Sequence, residues 1–182
     1  MSTVARVANV VDPGILCPQF YRRRSERVTC CRESTMESSS LNIRKAIPGD
    51  YERGHVSLLA QLTSTGEISA DQYSKTLDDM TRRGSHLFVV HDTETDKVVG
   101  SATLLVEQKL IHGCACVGHI EDVVVGDACR GKGVGKQLIA ALCDFARANR
   151  CYKVILDCSE ENCGFYAKCG FQKREVQMRL DC

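Results

Sequence analysis

Two features of the sequence have residue types and spacing suited to chemistry. One is the acidic pair Glu121-Asp122, set inside an apolar run. The other is the loop CRGKGVGK at 129–136, where glycines alternate with cations. Glycine tolerates positive φ and leaves backbone N–H groups uncovered. A β-like run through Val123, Val124 and Val125 precedes the loop, and a helical pattern follows it. Several N–H groups therefore gather at a helix N-terminus, which is an anion site. Arg130 and Lys132 can add charge-assisted bonds. The ligand this chemistry suits is phosphate, most of all a pyrophosphate bridge. The Walker pattern does not fit, because Arg130 stands five before Gly135 and Gln137 follows Lys136. The dinucleotide fingerprint does not fit either, because the glycines run G-x-G-x-G. Taken alone, such a loop also suits a purely structural turn. In the acidic pair, successive strand residues should face opposite sides. At least one carboxylate is then expected to be buried or to point into a cleft, where it needs a partner. An internal salt bridge or a backbone cap is the alternative for each acid.

The elements that position these residues follow from periodicity. Leu41–Arg44 alternates and predicts a first strand. Pro48-Gly49-Asp50 predicts a turn, with Asp50 capping a helix that carries Val56, Leu59 and Leu62. Ser69 is placed to cap a second helix through Tyr73, Leu77 and Met80. His86–His91 and Val98–Glu107, split by the polar turn Asp92–Lys97, predict an antiparallel pair, and Gly118–Val125 a further strand. Val134, Leu138, Ala141, Leu142 and Phe145 mark one face of a long helix. Val154–Leu156 predicts a short strand, Asn162–Lys168 a short helix and Phe171–Leu180 a last strand. This order fits one α/β domain. Residues 1–40 lack sustained periodicity and read as a flexible extension, with the folded domain spanning 41–182.

Composition removes several classes. With 43% hydrophobic and 26% charged residues in 182, the chain can bury a substantial core. A net charge of +1 gives no general pull towards nucleic acid or anionic membrane. No apolar run approaches the roughly 18 residues of a membrane span. The 12 cysteines are unusual. No apolar signal segment opens the sequence, so reduced thiols acting as small hydrophobes are expected rather than a disulfide scaffold. Cys114 and Cys116 stand too close, and Cys158, Cys163 and Cys169 lack the paired spacing of zinc sites, so no metal is expected. The cytoplasm is the default compartment, and the arginine-bearing extension leaves organelle import open.

The valine run, the loop Arg130-x-x-Gly133-x-Gly135 and the following amphipathic helix resemble the acetyl-CoA site of the Gcn5-related N-acetyltransferases. Within that superfamily, GHIEDVVV (118–125), CYKVILDC (151–158), ENCGFYAKCGF (161–171), LTSTG (62–66) and KLIH (109–112) are similar to the glucosamine-6-phosphate N-acetyltransferase family. The resemblance covers about residues 41–182. It implies an α/β domain with a central mixed, mostly antiparallel sheet flanked by helices. It also implies transfer of acetyl from acetyl-CoA to the amine of D-glucosamine 6-phosphate, by direct attack in a ternary complex. That reaction belongs to UDP-N-acetylglucosamine synthesis. Transfer to another small amine, or CoA binding without catalysis, are the alternatives.

The resemblance also implies roles. The strand carrying Val123, Val124 and Val125 would pair with the pantetheine arm. Arg130, Gly131, Lys132, Gly133, Val134, Gly135 and Lys136 would hold the pyrophosphate, with Asn162 touching the cofactor. Tyr166 would hydrogen-bond the departing sulfur and donate its proton, which a phenol can do. Glu121 and Asp122 would lie at the sugar, and Asp157 would orient the amine and ease its deprotonation. Thr63, Lys109 and His112 would contact sugar or phosphate. The family is a homodimer with shared sugar sites, so Lys109 and His112 can serve the partner's site. Fungal relatives carry an arginine where this register places Asp181, and Arg179 is a substitute on the same side. His119 can be read as a general base, but support of the strand before the acids is the preferred role.

Overall fold

The structure is a computed structural model and describes residues 40–181. The expected flexible extension lies outside the described residues, apart from Ser40. A five-stranded sheet runs in chain order: β1 (Leu41–Lys45), β2 (Ser85–Asp92), β3 (Lys97–Gln108), β4 (Cys116–Val125) and β5 (Cys151–Leu156). The first four strands pair antiparallel, and β4 with β5 is parallel. A parallel pair needs a crossover. It is supplied by α4 (Val134–Ala148), whose Val134, Leu138, Ile139, Ala141, Leu142 and Ala146 are buried. On that face α4 closes a core with Phe88, Val90, Ala102, Leu104 and Ile120, and α5 (Cys163–Lys168) flanks it through Phe165 and Tyr166.

The opposite face carries α1 (His55–Leu59) and α2 (Ala70–Arg82), and a single short turn, α3 (Ile111–Cys114), leads from β3 into β4. Ser69 caps α2 as expected, accepting from the Gln72 N–H while Gln72 reaches back to the Ser69 N–H. Asp50 does not cap α1, which starts one turn later at Gly54 with φ of 82°. Asp50 is wholly buried instead. It accepts from the Ile47 N–H (2.9 Å) and from both Arg44 guanidinium nitrogens (2.7 Å each). Burial raises its carboxyl, but those bonds outweigh the penalty and hold its pKa below the usual aspartate value. The shift in helix start also changes the inward face. His55 and Leu58 are buried, while Leu62 is exposed. His55 Nδ1 meets the Tyr73 hydroxyl and its Nε2 the Ser101 hydroxyl, both at 2.8 Å.

Between β3 and β4 the register slips. Ser101 pairs Val124 and Thr103 pairs Glu121, so Asp122 and Val123 both oppose Ala102. This is a β-bulge, and Asp122 takes a left-handed φ of 52°. The expected last strand, Phe171–Leu180, is not formed. Residues 171–181 are irregular, and Val176, Met178 and Leu180 are 83%, 90% and 87% exposed. A strand needs a ladder, and this segment runs without one in the single chain.

Candidate active site

The bulge and the parallel pair together open the sheet. β4 pairs with β5 only as far as Ile120 opposite Leu156, yet β4 continues to Val125. Glu121–Val125 therefore presents an edge with no strand partner on the β5 side, about 17 Å long at the usual strand rise, with only its Val125 carbonyl taken among the described residues, by Arg130. The slip also reverses the alternation. Ile120 packs under α4, whereas Val124 packs with Leu58, Val89 and Val98 on the other face. Val123 and Val125 turn towards α4 and α5, where they wall a cleft of about 460 Å³.

That cleft gathers ten of the twelve residues expected at the cofactor: Val123, Val125, Arg130, Gly131, Gly133, Val134, Gly135, Lys136, Asn162 and Tyr166. Two are absent. Lys132 is exposed off the lining, and the Val124 side chain faces the opposite core because of the bulge. Sequence reasoning missed Lys168, which adds a third cation beside Arg130 and Lys136. Its helical spacing from Tyr166 (i, i+2) gave no cue. Gly131 and Gly133 have φ of 76° and 82°, and a Cβ at either would meet nothing within 4 Å. The loop thus keeps its N–H groups bare towards open space, at the start of a 15-residue helix. Arg130 folds over it, its Nε donating to the Val125 carbonyl at 3.1 Å and its Nη1 pairing Asp127 at 2.8 Å. These residues fit a pyrophosphate at the loop and an extended amide chain along β4.

Tyr166 stands on α5 with Phe165 and Phe171 edge-on at 4.9 and 6.1 Å. Its hydroxyl has no hydrogen-bond partner among the described residues. Burial, with Cys158 and Cys169 nearby, pushes the phenol's pKa up, so it keeps its proton at neutral pH.

The acids lie on the sheet's other side. Glu121 and Asp122 are both exposed, where one was expected to be buried or aimed into a cleft; the bulge turns the pair out at the strand's unpaired edge. His119 and Glu121, two apart on β4, share a face, and His119 Nε2 lies 3.1 Å from Glu121 Oε1. The same nitrogen is 3.8 Å from Asp157 Oδ2, beyond the end of β5. His119 thus lies within ion-pair range of both carboxylates. The i, i+2 spacing was the available signal. The three ligand atoms fall within 4.8 Å of one another, close enough to share a cation, although all three side chains are partly exposed. Gln177 donates to Asp157 at 3.1 Å.

Thr63 is exposed in the turn after α1, on the acidic face. Lys109 and His112 are not brought to the acids within one chain. They sit beside the start of β4, five residues before Glu121, with the His112 ring on Tyr152 at 4.3 Å and Lys109 paired to Glu107. Arg179 is bound to Asp181. The eight described cysteines are free thiols.

A parallel pair in which β4 outruns β5, a bulged strand and a glycine-cation helix start define a class, and the relatives agree. Residues 56–171 match the acetyltransferase (GNAT) family, and the chain belongs to it. Within that family it groups with the glucosamine 6-phosphate N-acetyltransferases. The Arabidopsis thaliana protein of that name is 38% identical over 143 residues, covering 78% of this chain and 96% of the relative. The one from Trypanosoma brucei brucei is 45% identical over 127 residues, covering 70% and 86%. The crystal structure of the Arabidopsis enzyme superposes with a TM-score of 0.74 at 35% identity, covering 78% of this chain and 97% of that one.

Proposed function

We propose that the chain transfers acetyl from acetyl-CoA to the amine of D-glucosamine 6-phosphate, giving N-acetyl-D-glucosamine 6-phosphate and CoA. The observation that carries this is the gap between β4 and β5. It joins the anion cradle and Tyr166 on the α4 face to Glu121 and Asp157 on the other. A thioester laid along β4 from one side then meets an amine held by carboxylates from the other. Asp157 and Glu121 bind the ammonium and take its proton. Attack of the freed amine on the thioester carbonyl expels CoA thiolate, which the Tyr166 hydroxyl stabilises. Positioning supplies most of the rate in such a ternary complex. The test is product formation, read by mass spectrometry, with glucosamine 6-phosphate against unphosphorylated glucosamine. Product only from the phosphorylated sugar supports the assignment, and none from it at millimolar concentration overturns it.

The sugar site is completed by a second copy of the chain. Lys109 and His112, the candidate phosphate groups, sit at the start of β4 and β5, and the acids at their other end. Val176, Met178 and Leu180 are unburied, and the edge strand β5 also exposes Tyr152 and Ile155. Such an edge with apolar flanks suits association. Mixing Lys109→Ala chains with Tyr166→Phe chains discriminates. A shared site regenerates one intact centre per mixed dimer and restores activity, whereas self-contained sites leave the mixture as impaired as its parents.

A further inference from the structure

The thiols of Cys158 and Cys163 stand with their sulfurs 3.9 Å apart at the rim of the site. Cys158 is exposed and follows Asp157 directly; Cys163 opens α5, one turn before Tyr166. The residues between them form a single 3₁₀ turn, Glu160–Asn162. It is held by Asn162 N–H to the Ser159 carbonyl at 3.0 Å and the Asn162 amide to the Ser159 hydroxyl at 3.1 Å. Cys163 itself points its thiol at the Ser159 carbonyl, 3.7 Å away.

We propose that Cys158 and Cys163 form a redox modification site whose disulfide switches off acetyl transfer. The activity readout rests on the function proposed above; the chemistry of the pair does not. A bonded pair needs sulfurs about 2.05 Å apart. Closing nearly 2 Å is within reach of rotation about each Cα–Cβ bond when both thiols are at the surface. The reaction is Cys158–SH plus Cys163–SH plus a low-molecular-weight disulfide such as oxidised glutathione. It gives the Cys158–Cys163 disulfide and two glutathione thiols. One S–S bond is broken and one formed, and two electrons and two protons pass to glutathione. Burial and the adjoining Cys163 and Asp157 push the Cys158 thiol up, with Lys173 opposing, so exchange through Cys158 quickens as pH rises.

The consequence follows from what the pair brackets. Asn162 and Tyr166 line the cofactor cleft, and Asp157 belongs to the acidic cluster. Drawing Cys163 off the Ser159 carbonyl towards Cys158 twists the first turn of α5 and the end of β5 against each other. Misplacing reacting groups by about 1 Å can cost about 10²-fold in rate.

The experiment equilibrates the reduced full-length protein in glutathione buffers of increasing oxidised fraction, desalts it and measures N-acetyl sugar product by mass spectrometry. Peptide mapping after alkylation runs in parallel. The expected result is a Cys158–Cys163 cross-linked peptide, activity lower by about tenfold or more, and recovery with dithiothreitol. Cys158→Ser and Cys163→Ser should keep reduced-state activity and lose the sensitivity. Cys158→Ala, checked by thermal melting, covers a serine variant that misfolds. Absence of the cross-link overturns the proposal, as does a cross-linked enzyme of full activity or equal inactivation of the Cys158 variants. If the reduced protein shows no turnover at all, the function fails while the peptide map still decides the disulfide.

Discussion

Removing one oxygen from Tyr166 tests the chemistry with little structural disturbance. The hydroxyl has no partner among the described residues, and the ring is held by Phe165 and Phe171. Tyr166→Phe should therefore alter stability by less than about 0.5 kcal/mol. In the proposed reaction the lost group donates to a developing thiolate. A hydrogen bond to a charged partner is worth about 1.5–3 kcal/mol, and the half-buried setting favours the upper half. The expected loss in kcat is roughly 45- to 160-fold. CoA affinity should change little, because the anion cradle and the free β4 edge are intact. The assay is steady-state product formation at saturating acetyl-CoA and sugar phosphate, with CoA affinity by calorimetry and a thermal melt. A kcat within about twofold of the parent would refute the role. A large fall in melting temperature would instead show that the hydroxyl was structural.

Gly133→Val puts a β-branched residue at φ of 82° and fills the open space of the cradle; CoA affinity should fall at least about tenfold with the sheet intact, and unchanged calorimetry would remove the loop from cofactor binding. Burial lowers His55 to about 4 from its ordinary 6.5, so it is neutral in the fold and charges on unfolding. Its contribution is complete above pH 6.5 and is lost as pH falls towards 4, about 2 kcal/mol of it by pH 5. Urea midpoints at pH 7.5 and 5.0 should show this slope in the parent and a shallower one in His55→Gln. His119→Ala should raise KM for the sugar phosphate about tenfold with smaller change in kcat and none in CoA affinity. His119→Asn, which keeps a polar group beside Glu121, should recover part of it; equal loss in both variants and for both substrates would mean a purely structural histidine.

Which parts were legible in the sequence depended on whether their cause was local. The α4 face reads correctly because Val134, Leu138, Ala141 and Leu142 follow the helical period and all become buried. The strands β2 and β3 read correctly because a polar turn divides two alternating runs. The start of α1 does not, because what fixes Asp50 is Arg44, six residues earlier on β1. Capping preference cannot reveal such a pair. The C-terminal alternation of Val176, Met178 and Leu180 is genuine strand pattern, but a pattern names a face and not the ladder that must cover it. Three cations of the cleft, Arg130, Lys136 and Lys168, come from two helices and a loop, and only the first two share a local motif.

The hardest feature to read is the one on which the site turns. Glu121-Asp122-Val123-Val124 looks like an ordinary strand, and strict alternation would put Val124 beside Ile120 under α4. Asp122 instead takes a left-handed conformation that aspartate tolerates better than most residues. From that one extra residue three consequences follow. Val124 crosses to the other core, so Val123 and Val125 become the cleft wall. The bulge sits where the β4–β5 ladder ends, at Ile120 opposite Leu156, and the β4 edge beyond it can pair with an amide-bearing chain. Glu121 stays on the His119 side, across the gap from Tyr166. Without the bulge, β4 and β5 could continue pairing and close the passage between the two faces. The acids and the phenol would then be present in the sequence but separated by a sheet, with no route for an amine on one side to reach a thioester on the other.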